Sequence, residues 1–208
     1  MICPVFGAYF SLYIMVDLFN YTRRTSSVAH IGSLDLGGNN PIRIQSMTTT
    51  NTNDTDACVR QAEEIIKAGS ELVRFTTQGS REAENMKNIN AGIRADGYQT
   101  PLVADVHFNP NVADVAALYC EKVRVNPGNY VDPARKFIKQ EYTDEEYAHE
   151  LQKIEERFVP FLNICKEHHT AIRIGVNHGS LSDRIRNRYG DTPEGIVESC
   201  MEFLRICK

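Results

Sequence analysis

Ala171-Ile-Arg-Ile-Gly-Val-Asn-His-Gly-Ser180 decides the fold. Ile172, Ile174 and Val176 are β-branched and the run ends in a Gly/Asn/Ser-rich turn, the composition of a buried strand. One polar residue, Arg173, stands between the isoleucines. Neighbours in a strand point to opposite faces, so Ile172 and Ile174 packed outward against helices put Arg173, Gly175 and Asn177 together on the other face. The same signature recurs upstream in Pro41-Ile-Arg-Ile-Gln-Ser-Met47, Leu72-Val-Arg-Phe-Thr-Thr77 and Lys122-Val-Arg-Val-Asn-Pro127.

Helical patterns separate these strands. Strands are expected at 42–47, 72–77, 102–107, 122–126 and 171–176. Val59, Ala62, Ile65 and Ile66 form a helical stripe that Thr52–Asp54 caps and Gly69 closes. Further helices are expected at 80–94, 111–119, 143–166 (opened by the capping box Thr143-Asp-Glu-Glu146), 181–188 and from Pro193, with Thr192 as N-cap. Residues 20–40 read as a lead-in with a small hairpin over the floor.

Five consecutive βα units imply parallel strands with right-handed crossovers. On an open doubly wound sheet helices cover both faces, and four arginines would be buried against apolar surface at prohibitive cost. Inside a barrel they can face water and an anionic ligand near the C-terminal mouth. The fold class is therefore α/β, a partial (β/α)8 TIM-type barrel of about five units, since closure takes about eight. Residues 1–18 read as an N-terminal extension and 19–208 as the N-terminal part of the barrel domain.

Composition bounds the partners. The 208 residues are 42% hydrophobic and 24% charged, ordinary for a globular protein with a sizeable core. A formal net charge of −4 without Lys/Arg runs argues against a nucleic-acid partner. Cys3, Cys58, Cys120, Cys165, Cys200 and Cys207 have no C-x-x-C spacing and read as reduced thiols of a cytoplasmic protein. Residues 2–16 are apolar but short for a membrane span, and they lack the basic start and cleavage site of a signal peptide. Met15 is a plausible natural start.

Arg74, Arg124 and Arg173 lie late in their strands. Convergent guanidinium groups suit a phosphate or diphosphate, because each offers a planar fork of donors to oxyanions. Arg43 sits lower, with four strand residues after it. Asn177 shares the face of Arg173, Gly179-Ser180 precedes a helix, and Asn126-Pro-Gly-Asn129 is a tight turn, so both loops could offer backbone amides to phosphate. Asp105 and His107 share a face at the end of their strand, as an acid–base pair or as a hydrogen-bonded pair inside the barrel. His168-His169 ends a helix as a C-terminal cation.

Ile44-Gln-Ser-Met-Thr-Thr-Thr50, Pro101-Leu-Val-Ala-Asp-Val-His-Phe108, Arg124-Val-Asn-Pro-Gly-Asn129, Ile172-Arg-Ile-Gly-Val-Asn-His-Gly-Ser-Leu181 and Gly190-Asp-Thr-Pro-Glu-Gly-Ile-Val-Glu-Ser199 together resemble the 4-hydroxy-3-methylbut-2-en-1-yl diphosphate synthase family. The long connection 130–169 resembles its larger, plant-type branch. The resemblance implies an enzyme of the non-mevalonate isoprenoid pathway that opens and dehydrates 2-C-methyl-D-erythritol 2,4-cyclodiphosphate with two electrons from ferredoxin or flavodoxin. It also implies a 4Fe–4S cluster on a separate C-terminal domain, held by three cysteines and a glutamate. Arg74, Arg124, Arg173 and Asn177 match the family's substrate-holding positions. The later barrel strands, a substrate-binding lysine and serine, and the cluster domain have no counterpart in the chain, and none of its six cysteines has the family's context. The competing readings are a dihydropteroate-synthase-like phosphate-binding barrel and a non-catalytic fragment. The repeated arginine strands and the Asn126–Asn129 turn argue against the first.

Overall fold

The computed structural model describes residues 24–132 and 141–208. The apolar stretch 2–16 and Cys3 lie outside them. Two strands, β1 (Val28–Ile31) and β2 (Leu34–Gly37), pair antiparallel as the expected hairpin. Five parallel strands follow: β3 (Gln45–Met47), β4 (Leu72–Thr77), β5 (Leu102–Val106), β6 (Lys122–Val125) and β7 (Ala171–Ile174). Between and after them run α1 (Thr55–Lys67), α2 (Ser80–Ala95), α3 (Pro110–Ala117), α4 (Asp144–His168), α5 (Asp183–Tyr189) and α6 (Pro193–Ile206).

Strand order in space equals order in the chain. A doubly wound sheet would reverse its order at a switch point; an unreversed run is the wall of a barrel. The outward residues Val73, Phe75, Leu102, Ala104, Val106, Val123 and Val125 pack with helix residues such as Met86, Ile89, Val112, Phe158 and Phe203, and Ile172 and Ile174 join them. The opposite face starts with a small floor cluster, Ile31, Leu72 and Val103 with Leu34 and Ala171, where the hairpin plugs the barrel.

Local chemistry explains the helix starts. Asp54 accepts from the Ala57 amide, Thr143 and Glu146 complete their capping box, and Thr192 accepts from the Gly195 amide just before Pro193. Several strand limits differ from expectation. The first parallel strand begins at Gln45 rather than Ile42, because Arg43 and the Ile44 amide are taken by Glu71 and the Arg43 Nε donates to the Asp35 carbonyl. Arg43 therefore ties the hairpin to the sheet below the strand. The last strand ends at Ile174, so Gly175, Val176 and Asn177 belong to the following loop.

The sheet leaves β3 and β7 as edges. Beside β3, Ile42 is 81% and Ile44 60% exposed. Unpaired strand edges flanked by apolar side chains template further pairing. The 208-residue chain alone should therefore self-associate with rising concentration in sedimentation velocity; a monomer with a sharp cooperative melt would contradict this.

Candidate functional site

The inner wall carries its polar residues in two layers. In the upper layer Asp105, Arg124 and Arg173 stand side by side on β5, β6 and β7, with Thr76 of β4 registered to Asp105. One step toward the floor come Arg74, Val103, Lys122 and Ala171.

Asp105, 1% exposed, is the hub. It accepts from Arg74 Nη2 and, at 3.2 Å, from Arg124 Nη1, while His107 Nε2 lies 3.1 Å from its Oδ2. Asp105 and His107 thus stand close together inside the barrel, and two arginines share the same carboxylate. A buried carboxylate needs such partners, since desolvating an unpaired charge costs several kcal/mol.

Arg124 is held from a second side, where its Nη2 donates to the Gly175 carbonyl at 2.5 Å. Its chain lies flat on Gly175, and a Cβ there would meet Arg124 Nε at 2.0 Å. Gly175 is thus the residue that lets the guanidinium turn inward. Burial pushes the Arg124 pKa down and Asp105 opposes the shift. Arg173 is exposed beside it, with no hydrogen-bond or ion-pair partner among the described residues.

The loops above are tied to each other. Asn126 Nδ2 and Ser180 Oγ are 2.9 Å apart, and a Cβ on Gly128 would sit 1.6 Å from the Ser180 carbonyl, so only glycine fits. Asn177 Oδ1 accepts from the Gly179 amide at 2.9 Å. Some of the amides expected to serve phosphate in these turns are therefore already used. The Gly179, Ser180 and Asn129 amides are bonded within their own 3-10 turns, and α5 starts only at Asp183.

Sequence reasoning missed three contributors. Lys122 lies two residues before Arg124, so the same alternation places it on the inner face. The alternation places Gly175 on the inner face with Arg173 and Asn177 but gives it no role. The third is a buried network behind the site: Arg184, 1% exposed, donates to both Glu202 oxygens at 2.6 and 2.8 Å and to Asp132, with its guanidinium 4.7 Å from the Tyr147 ring. On sequence alone α5 looks like a solvated helix.

Among the described residues no cluster of His, Cys, Asp or Glu is placed to hold a metal. Cys58, Cys120 and Cys165 are buried, and burial pushes their thiols up, away from the thiolate a metal needs. No described helix is long and apolar enough to cross a membrane.

Fold and inner wall define a class: a β/α-barrel domain whose interior holds four cations, Arg74, Lys122, Arg124 and Arg173, against the single carboxylate of Asp105 among the described residues of β3 to β7. A family model described as the GcpE TIM-barrel domain matches residues 25–208, and the chain belongs to that family. Relatives named 4-hydroxy-3-methylbut-2-en-1-yl diphosphate synthase (flavodoxin) include one from Phocaeicola vulgatus, 76% identical over 192 residues, which are 92% of this chain and 31% of that protein. Another from Bacteroides thetaiotaomicron is 74% identical over the same shares, and one from Akkermansia muciniphila is 53% identical over 91% of this chain and 32% of its own length. The chain spans about a third of the length of these relatives.

Proposed function

We propose that the chain is the substrate-holding part of a 4-hydroxy-3-methylbut-2-en-1-yl diphosphate synthase. In this reading residues 19–208 are the N-terminal part of its barrel domain, and residues 1–18 are an extension. The substrate is 2-C-methyl-D-erythritol 2,4-cyclodiphosphate, held by Arg74, Arg124, Arg173 and Asn177. The observation that carries the reading is the excess of cations on the inner wall: Asp105 orients Arg74 and Arg124 but neutralises only one charge, and Arg173, next to Arg124, has no partner among the described residues. A cyclic diphosphate supplies the missing negative charge, and guanidinium forks match its oxyanions.

The chain's own residues bind and orient. Asp105 fixes two guanidinium planes, His107 stands beside it at the rim, and Asn126 locks the loop after β6 against Ser180. A 4Fe–4S cluster, which the family resemblance places on a separate domain, would supply the electrons that ferredoxin or flavodoxin delivers for the reductive opening. The described cysteines do not fit that cluster. Free thiols among the described residues agree with a cytoplasmic protein.

The test is turnover by the complete enzyme. With reduced flavodoxin it should convert the cyclic diphosphate to 4-hydroxy-3-methylbut-2-enyl diphosphate, while the 208-residue chain, reconstituted anaerobically, should take up no stoichiometric iron and sulfide. An unconsumed cyclic diphosphate, or a brown iron–sulfur chromophore on this chain, would overturn the assignment.

A further inference from the structure

Lys122 is a charged residue without a counter-charge. It is 8% exposed, in the interior of the barrel, and has no hydrogen-bond or ion-pair partner among the described residues. Its strand neighbours in register are Val103 and Ala171, members of the apolar floor. Every nearby charge on the surrounding elements is accounted for. Arg74 on β4, Arg124 on its own strand and Arg173 on β7 are cations, and Asp105 on β5 is engaged by Arg74, Arg124 and His107. On the hairpin beneath, His30 and Asp35 pair with each other, and Arg43 pairs with Glu71.

Burying an ammonium without an anion is unfavourable, and the protein has placed one level with Arg74 and one layer below Arg124 and Arg173. We propose that Lys122 is a further ligand-binding residue of the anion site, its floor cation, meeting from below the same anion that the arginines hold from the sides. This deepens the function proposed above and rests on it. The geometry supports a reach: Lys122 and Arg124 are alternate residues of one strand, about 7 Å apart along it, and a lysine side chain spans most of that distance upward.

A consequence separates this role from a structural one. Burial, and then Arg173 and Arg74, hold the Lys122 pKa below the usual lysine value. A bound anion favours the ammonium and raises the pKa again. Anion affinity due to Lys122 is therefore fully present below its depressed free-state value and is lost as pH rises through that value to the bound-state one. Arginine side chains keep their charge throughout this range.

The test compares wild-type and Lys122→Met forms of the complete enzyme, with sulfate as the probe because its charge is constant above neutrality, and with the cyclic diphosphate in parallel. At neutral pH the Met variant should bind sulfate roughly tenfold more weakly, the scale of one charge-assisted contact. That ratio should shrink toward one as pH rises toward the usual lysine range. Lys122→Arg, which keeps its charge, should retain affinity and lose the alkaline decline. A Met variant that binds as wild type at every pH, or a ratio unchanged with pH, would overturn the proposal and leave Lys122 structural. If the Met variant fails to fold, Lys122→Gln gives the same ratio. If wild type binds neither sulfate nor the cyclic diphosphate, the proposed function itself fails, a different result from a silent Lys122.

Discussion

Replacing Arg124 by alanine should weaken binding of the cyclic diphosphate by about tenfold to a hundredfold, the equivalent of one or two charge-assisted contacts at roughly 1.4 kcal/mol per decade. Arg173→Ala should do the same. The two differ in what they leave behind. Without Arg124, Asp105 keeps Arg74 and His107, so no carboxylate is stranded and the fold should hold. Arg173 has nothing to strand. Lysine at either position should rescue only part, because the bidentate fork is lost. Gly175→Ala is the sharper probe: it keeps every charge but puts a methyl within 2.0 Å of Arg124 Nε, so the guanidinium must swing away. Affinity should fall with the charge intact. Cys58→Ala, in the helix layer, should leave it unchanged. Wild-type affinity in both arginine variants would make these residues structural.

Arg184→Leu should cost about 3–5 kcal/mol of stability, the scale for breaking a buried ion pair by removing one partner. Glu202 and Asp132 would keep their burial and lose the cation that both of them face. Tyr147, which also donates to Glu202, and Phe203 next to it in α6 anchor α4 and α6, so the loss should spread to both helices. The sign with pH follows. Two stranded carboxylates have raised folded-state pKa values, which lets the folded variant hold protons the unfolded chain releases. The deficit should thus be largest near neutrality and shrink as pH falls toward about 4. Urea midpoints of both proteins across that range measure it. A deficit under about 1 kcal/mol, or one that grows on acidification, would show the network to be dispensable.

The alternation of Arg173 between Ile172 and Ile174 was enough to assign faces, and with the same pattern in 72–77 and 122–125 it separated a barrel wall from an open sheet. Face is a one-residue property of a strand, so sequence carries it directly. Layer and partner are not. Whether Arg124 points at a ligand or at a carboxylate depends on the stagger between β5 and β6, which puts Asp105 beside it, and no local pattern encodes that stagger. The same holds for Asn126 and Ser180, 54 residues apart, and for Arg184 and Glu202 on different helices. Arg43 was misplaced within a strand because Ile42 and Ile44 alternate correctly around it; Glu71 captures that stretch instead. Lys122 was visible in the alternation and overlooked, since a lysine at the start of a strand ordinarily reaches solvent.

The central claim, that the inward arginines of β4, β6 and β7 form one anion site, is tested most directly by a crystal structure of the complete enzyme with the cyclic diphosphate bound. The account predicts phosphate oxygens within about 3 Å of the guanidinium nitrogens of Arg74, Arg124 and Arg173, inside the barrel mouth and above Lys122. A diphosphate bound elsewhere, with Arg74 and Arg124 still turned only to Asp105 and Arg173 in bulk water, would contradict it.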